Sequence, residues 1–152
     1  TTTVEAIKST QEIIGYLALH GVSRIQSLYK DGVVMGISFG MRVQERELGF
    51  RLPVNLEAVY STLLEQRRQG RIAPRFVSYE QAERIAWRIL KDWVEAQIAL
   101  IETGMVSVAE VFLPYMLMDD GRTAFELIAE KYLALPAPEQ SASGGVDGQV
   151  AE

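Results

Sequence analysis

The chain has 152 residues, with apolar and charged fractions of 48% and 23%, which is enough for one domain around one core. The absence of cysteine and the single histidine, His20, exclude disulfides, thiolate metal sites and any centre built on two histidines. The net charge of -5 is that of an ordinary globular protein, and no apolar run approaches the roughly 20 residues that span a bilayer.

Helix starts are marked by Ser9-Thr10-Gln11-Glu12, Ser78-Tyr79-Glu80-Gln81, Ser107-Val108-Ala109-Glu110 and Thr123-Ala124-Phe125-Glu126. Each has a hydroxyl to accept a free backbone amide and a Glu or Gln to reach back. Asn55 after Pro53 is a fifth N-cap. The first helix is expected from about Thr10 to His20, with Ile13, Ile14 and Leu17 on one face and Gly21 as its stop. Thr3 to Ile7 before it reads as a short strand or a frayed end. A strand follows with Ser23, Ile25, Ser27 and Tyr29 on one face, closed by the hairpin turn Asp31-Gly32. Met35, Ile37, Phe39, Met41 and Val43 alternate strictly and should line the core. After a turn near Gln44-Glu45, Leu48, Phe50 and Leu52 continue that face until Pro53.

The rest reads as helix: Asn55 to Arg68, about Tyr79 to Thr103 ending at Gly104, a short one from Val108 to Leu113, and Thr123 to Leu133. The longest has a polar stripe of Glu80, Arg84, Arg88, Lys91, Glu95 and Glu102; its other faces are apolar. So wide an apolar arc predicts a central helix, covered by the sheet on one side and later helices on another. The expected fold is α+β. An antiparallel sheet of three to four strands is flanked by an N-terminal helix and packed against a C-terminal helical bundle with one long central helix. Residues 1–135 form the single domain. From Pro136 the composition turns to Pro, Ala, Ser and Gly, so 136–152 reads as a flexible acidic tail.

Candidate chemistry starts from charge. Residues 1–91 carry a net +4 and residues 92–152 a net -9, and 11 of the 15 basic residues are Arg. Such a split can orient a chain on a polyanion or a partner, and Arg suits phosphate and carboxylate. Two surfaces collect the arginines. One is the outer face of the sheet, where alternation places Arg24, Arg42 and Arg51 with Gln26, Lys30, Ser38, Glu47, Gly40 and Gly49, the glycines leaving room for a flat ring. The alternative is a merely solvated sheet face. The other surface is the loop with Arg67, Arg68, Arg71 and Arg75, followed by the aromatic residues Phe76 and Tyr79. A helix C-terminus explains Arg67 and Arg68 through the macrodipole but not Arg71 and Arg75. Trp87 and Trp93 lie about 600° apart around a helix and cannot form one stacking platform. Core tryptophans with an i,i+4 ladder, Arg88 to Asp92 and Lys91 to Glu95, read better. His20 caps a helix end, and Asp119-Asp120-Gly121 is a turn. Gly-rich phosphate loops and nucleophile elbows are missing, so no catalytic residue, metal ligand or cofactor is assigned.

The segments Gly49-Phe50-Arg51-Leu52-Pro53, Glu80 to Gln97, Phe112-Leu113-Pro114-Tyr115 and Asp120-Gly121-Arg122-Thr123 resemble a family of small bacteriophage and prophage proteins with no assigned activity. The resemblance covers most of 10–133. It implies the cytoplasm of an infected bacterium and carries no site residues. A curved antiparallel sheet followed by a long helix is also similar to the arrangement of phage single-strand annealing proteins. The expected function is non-catalytic binding of nucleic acid, single-stranded DNA first, through Arg24, Arg42, Arg51, Arg67, Arg68, Arg71, Arg75, Phe76 and Tyr79. The alternative is a protein-binding module, an inhibitor of host defence or host-takeover factor, using the acidic second half. A homo-oligomer is a further expectation, and no membrane partner is expected. The opening Thr1-Thr2-Thr3-Val4-Glu5 does not read as a secretory signal.

Overall fold

A computed structural model describes residues 2–133, and the expected tail at 136–152 lies outside the described residues. In chain order the elements are α1 (Thr2–Ala18), β1 (Val22–Lys30), β2 (Val33–Val43), β3 (Arg46–Arg51), α2 (Leu56–Arg68), α3 (Tyr79–Glu102), α4 (Val108–Phe112) and α5 (Ala124–Tyr132). Short 3-10 turns occupy Pro74–Phe76 and Leu113–Tyr115. The fold is α+β, with a three-stranded antiparallel sheet in the order β1-β2-β3.

The expected alternation holds from Ile37 to Val43 on β2 and from Ile25 on β1, but not at Ser23 and Met35, where Val22 and Val34 take the inner-face pairings. Phe39 pairs with Ile25 and Phe50, and Ile37 with Ser27, so their shared face turns inward. Two irregularities keep β1 in phase: Ser23 is extra on β1 and Met35 is extra on β2. The turns follow backbone preference, with Asp31 at φ +52° and Gly32 at φ +77° giving the paired left-handed residues of a tight hairpin.

The helices cover the inner face of the sheet. Ala6, Thr10, Ile13 and Leu17 are the buried stripe of α1, and Ala82, Ala86, Trp87, Leu90, Val94 and Ile98 that of α3. Trp87 is fully buried and donates its indole N–H to the Val34 carbonyl at 3.2 Å, pinning α3 to β2. Phe39 and Phe50 stack at 5.1 Å; Phe112 meets both edge-on and joins Trp93 at 5.8 Å. This aromatic cluster ties β2, β3, α3 and α4 into one core. α1 and α3 run parallel, as Glu5 pairs with Arg84, Glu12 with Lys91 and His20 with Glu102. α2 and α3 form a helical hairpin around the arginine loop.

Several expectations change. Thr3 to Ile7 is neither strand nor frayed end: α1 runs through it, and Ser9 lies mid-helix. The buried Thr10 hydroxyl turns back to the Ile7 carbonyl at 2.7 Å. No fourth strand forms there; single antiparallel bridges Phe50–Met116 and Leu117–Thr123 instead extend the β3 side. Within the apolar arc of α3, Ile89 stays 60% exposed. The polar stripe of α3 is the seam with α1. Lys91 pairs with Asp92 and Glu12 rather than Glu95, and the Arg88–Asp92 pair does not form. No helix among the described residues is long and apolar enough to cross a membrane.

Candidate nucleic-acid interface

The α2–α3 corner is built by its backbone. α2 starts on Asn55, whose side chain accepts from the Ala58 amide, and ends at Gly70 in the left-handed region, φ +72°. The Gly70 amide bonds the Arg67 carbonyl and the Arg71 amide bonds the Gln66 carbonyl, the crossed pair of a left-handed helix stop. Only a residue tolerant of positive φ reverses the chain so tightly, and the reversal sets Arg71 just beyond the helix end. Pro74 opens the 3-10 turn that presents Arg75 and Phe76, and Ser78 caps α3 by accepting from the Gln81 amide.

Within this corner the arginines divide. Arg68 forks onto Glu65 at 2.8 and 2.6 Å and lowers the Glu65 carboxyl below its ordinary pKa, so it is held by its own helix. Arg67, Arg71 and Arg75 are exposed and make no ion pair with a described carboxylate. Arg75 lies 4.8 Å over the Phe76 ring, which is 47% exposed. Tyr79 is placed differently. It is half-buried edge-to-face on Tyr60 at 5.8 Å, and burial followed by Glu57 raises its phenol pKa. Its ring is part of the packing between α2 and α3 and does not present a stacking face.

The outer sheet face has the expected residues, but its glycines serve internal contacts. A β-carbon on Gly40 would meet Glu47 Oε1 at 3.0 Å and Arg24 Nη2 at 3.5 Å, and one on Gly49 would meet the Leu117 side chain at 3.5 Å. Arg24 is paired with Glu47 across Gly40, and Arg51 donates to the Gly121 carbonyl at 3.2 Å. Arg42 is exposed on that face opposite Glu47. Gly40 and Gly49 therefore accommodate the protein's own side chains, not an incoming ring. The two basic sets also sit apart. The corner adjoins the N-terminus of α3, whereas Arg24 and Arg42 lie near the β2–β3 turn, toward its C-terminal end. A helix of 24 residues spans roughly 36 Å.

Sequence reasoning missed one cationic surface. A shallow groove between α1 and α3 gathers Lys8, Arg84, Arg88 and Lys91 around Glu5 and Glu12. The signal was present as Arg84, Arg88 and Lys91 at helical spacing, but nothing local shows that Lys8 joins them from another helix. In the acidic half, carboxylates are largely engaged nearby. Glu102 meets His20, Asp92 meets Lys91, and both Asp120 and Glu130 meet Arg122. The Arg122 amide, then its guanidinium, lowers the Asp120 pKa, as in a polar turn closed on itself.

No protein-family model matches the chain, and neither curated proteins nor solved structures include a match to it.

Proposed function

We propose that the protein is a non-catalytic, phage-type nucleic-acid-binding protein that prefers single-stranded DNA and uses the α2–α3 corner as its contact. The observation that supports this reading is the trio Arg67, Arg71 and Arg75, exposed and without a carboxylate partner among the described residues, around the exposed Phe76 ring. Arginine forks fit phosphate oxygens, and an aromatic ring stacks on any base. Arg75 lies over the Phe76 ring, which is 47% exposed and offers the aromatic surface for a base. Fluorescence anisotropy with labelled single-stranded DNA, duplex DNA and single-stranded RNA tests the reading. Arg71→Glu with Arg75→Glu is expected to weaken single-strand binding at least about tenfold, or 1.4 kcal/mol. Arg24→Glu with Arg42→Glu, on the outer sheet face, is expected to change it far less. Equal losses from both pairs would remove the corner as the site.

A second reading, a protein-binding module or homo-oligomer, is supported by a different surface from the acidic one expected. Phe125, Ile128 and Tyr132 form an exposed apolar stripe on α5, at 50%, 52% and 71% exposure. Scattered apolar residues are normal on a surface, whereas a contiguous stripe marks contact. Sedimentation that shifts with concentration, and no longer shifts in Ile128→Glu, would support an oligomer through α5.

A further inference from the structure

A cleft of about 420 Å³ opens between α1, α3 and the β1–β2 hairpin. Its walls are partly apolar, with Ala6 and Ile14 from α1 and Val33 and Val34 from β2, while Thr10 and Gln11 of α1 and Ser27 and Tyr29 of β1 bring polar groups. Its volume lies within the usual range for small-ligand sites, about 300–1,000 Å³. Glu83 projects from α3 into this space and is 8% exposed. No hydrogen bond or ion pair engages its carboxylate among the described residues. Its oxygens are not sealed off either, because no fully enclosed side-chain oxygen among those residues lacks a partner. The carboxylate therefore faces the cleft. Glu80, about one helical turn away, lines the same mouth.

A buried carboxylate without a counter-ion is costly, and an apolar side chain would pack there better. The arrangement suits an organic cation, with one charged donor group to meet Glu83 and an apolar body to meet the walls. We propose that this cleft is a binding site for a small organic amine, with Glu83 as the counter-ion to its ammonium group. The ammonium donates to Glu83, and the walls from α1 and β2 exclude water from its hydrocarbon part. This site is separate from the α2–α3 corner and does not depend on nucleic-acid binding.

The test uses three probes of one shape: phenethylammonium, 2-phenylethanol as its neutral counterpart and 3-phenylpropionate as an anion. Calorimetry and thermal shift are read on the full chain at neutral pH. Phenethylammonium is expected to bind at least about tenfold more tightly than the alcohol, and the anion is expected not to bind. Glu83→Gln keeps shape and removes charge, so it should bring the ammonium down to the level of the alcohol. Ser27→Leu, which narrows the cleft and leaves Glu83 intact, should weaken the ammonium and the alcohol together. Equal binding of ammonium and alcohol, undiminished ammonium binding by a folded Glu83→Gln protein, or no ammonium binding by the folded wild type at millimolar concentration would each overturn the proposal.

Discussion

His20 has an acceptor on each ring nitrogen, the Tyr16 carbonyl at 2.6 Å from Nδ1 and the Glu102 carboxylate at 2.6 Å from Nε2. Neither partner can donate, so both bonds form together only in the imidazolium. The Tyr16 carbonyl first and Glu102 second raise the His20 pKa above its ordinary 6.5, against the opposing effect of burial. A raised histidine pKa stabilises fully below the unfolded value and loses that contribution as pH rises through the folded one. Denaturant midpoints should therefore fall for the wild type as pH rises from 6 through the raised value, and His20→Gln should flatten that slope. Glu83 moves stability in the same direction with pH, but as a cost of its charged form instead of a gain. Burial first and Glu80 second raise its pKa, so its ionisation costs stability above the folded pKa, and the cost disappears as pH falls toward 4.5. Glu83→Gln should be more stable than wild type at pH 7, with the difference shrinking on acidification. A Glu83→Gln midpoint below wild type at pH 7 would mean that Glu83 has a structural partner. Neither feature was legible in sequence. Position 20 announced a helix end, which is correct, but its partner lies 82 residues away; Glu83 sits within a run of polar and apolar residues where only the angle of the helix against the sheet decides its burial.

Helix ends were the most legible elements, because a cap is a contact between residues three apart. Asn55, Ser78, Ser107 and Thr123 all accept the expected amide, and Thr123 with Glu126 completes the reciprocal box. Ser9 has the same pattern and is not a cap. The buried stripe of α1 reaches back to Ala6, so packing against α3 carries the helix past the local signal. Thr123→Ala should cost about 1 kcal/mol in denaturant unfolding, while Ser9→Ala should stay within about 0.5 kcal/mol. At the other helix end, Gly70→Ala places a β-carbon at φ +72° and should cost about 1–2 kcal/mol while displacing Arg71. Strand register was also readable, since strict alternation on β2 fixes which face is buried. The irregularities at Ser23 and Met35 were not, because they balance one strand against its neighbour and leave no mark on either alone.

At the scale of the molecule, the division of charge along the chain becomes a division in space, though not the one its two halves imply. The acidic half largely pairs within the fold. The basic half separates into the corner, the outer sheet face and the α1–α3 groove. Which lysine meets which glutamate across that groove depends on the parallel packing of two helices some 80 residues apart in sequence, and no spacing rule reaches that far. On the outer sheet face the space over Gly40 and Gly49 is taken by Arg24, Glu47 and Leu117. At the corner, Arg71 and Arg75 sit on a short reversal with no acid in residues 69–77, and Arg67 ends α2 beside a Glu65 already held by Arg68. The salt dependence of single-stranded DNA affinity tests that assignment most directly. If the three arginines each neutralise a phosphate, log affinity against log salt should slope at about -2, a loss of about 20-fold between roughly 50 and 200 mM, falling to about -0.7 in Arg71→Glu with Arg75→Glu. A wild-type slope near zero, or the same slope in that variant, would contradict the corner as the phosphate contact.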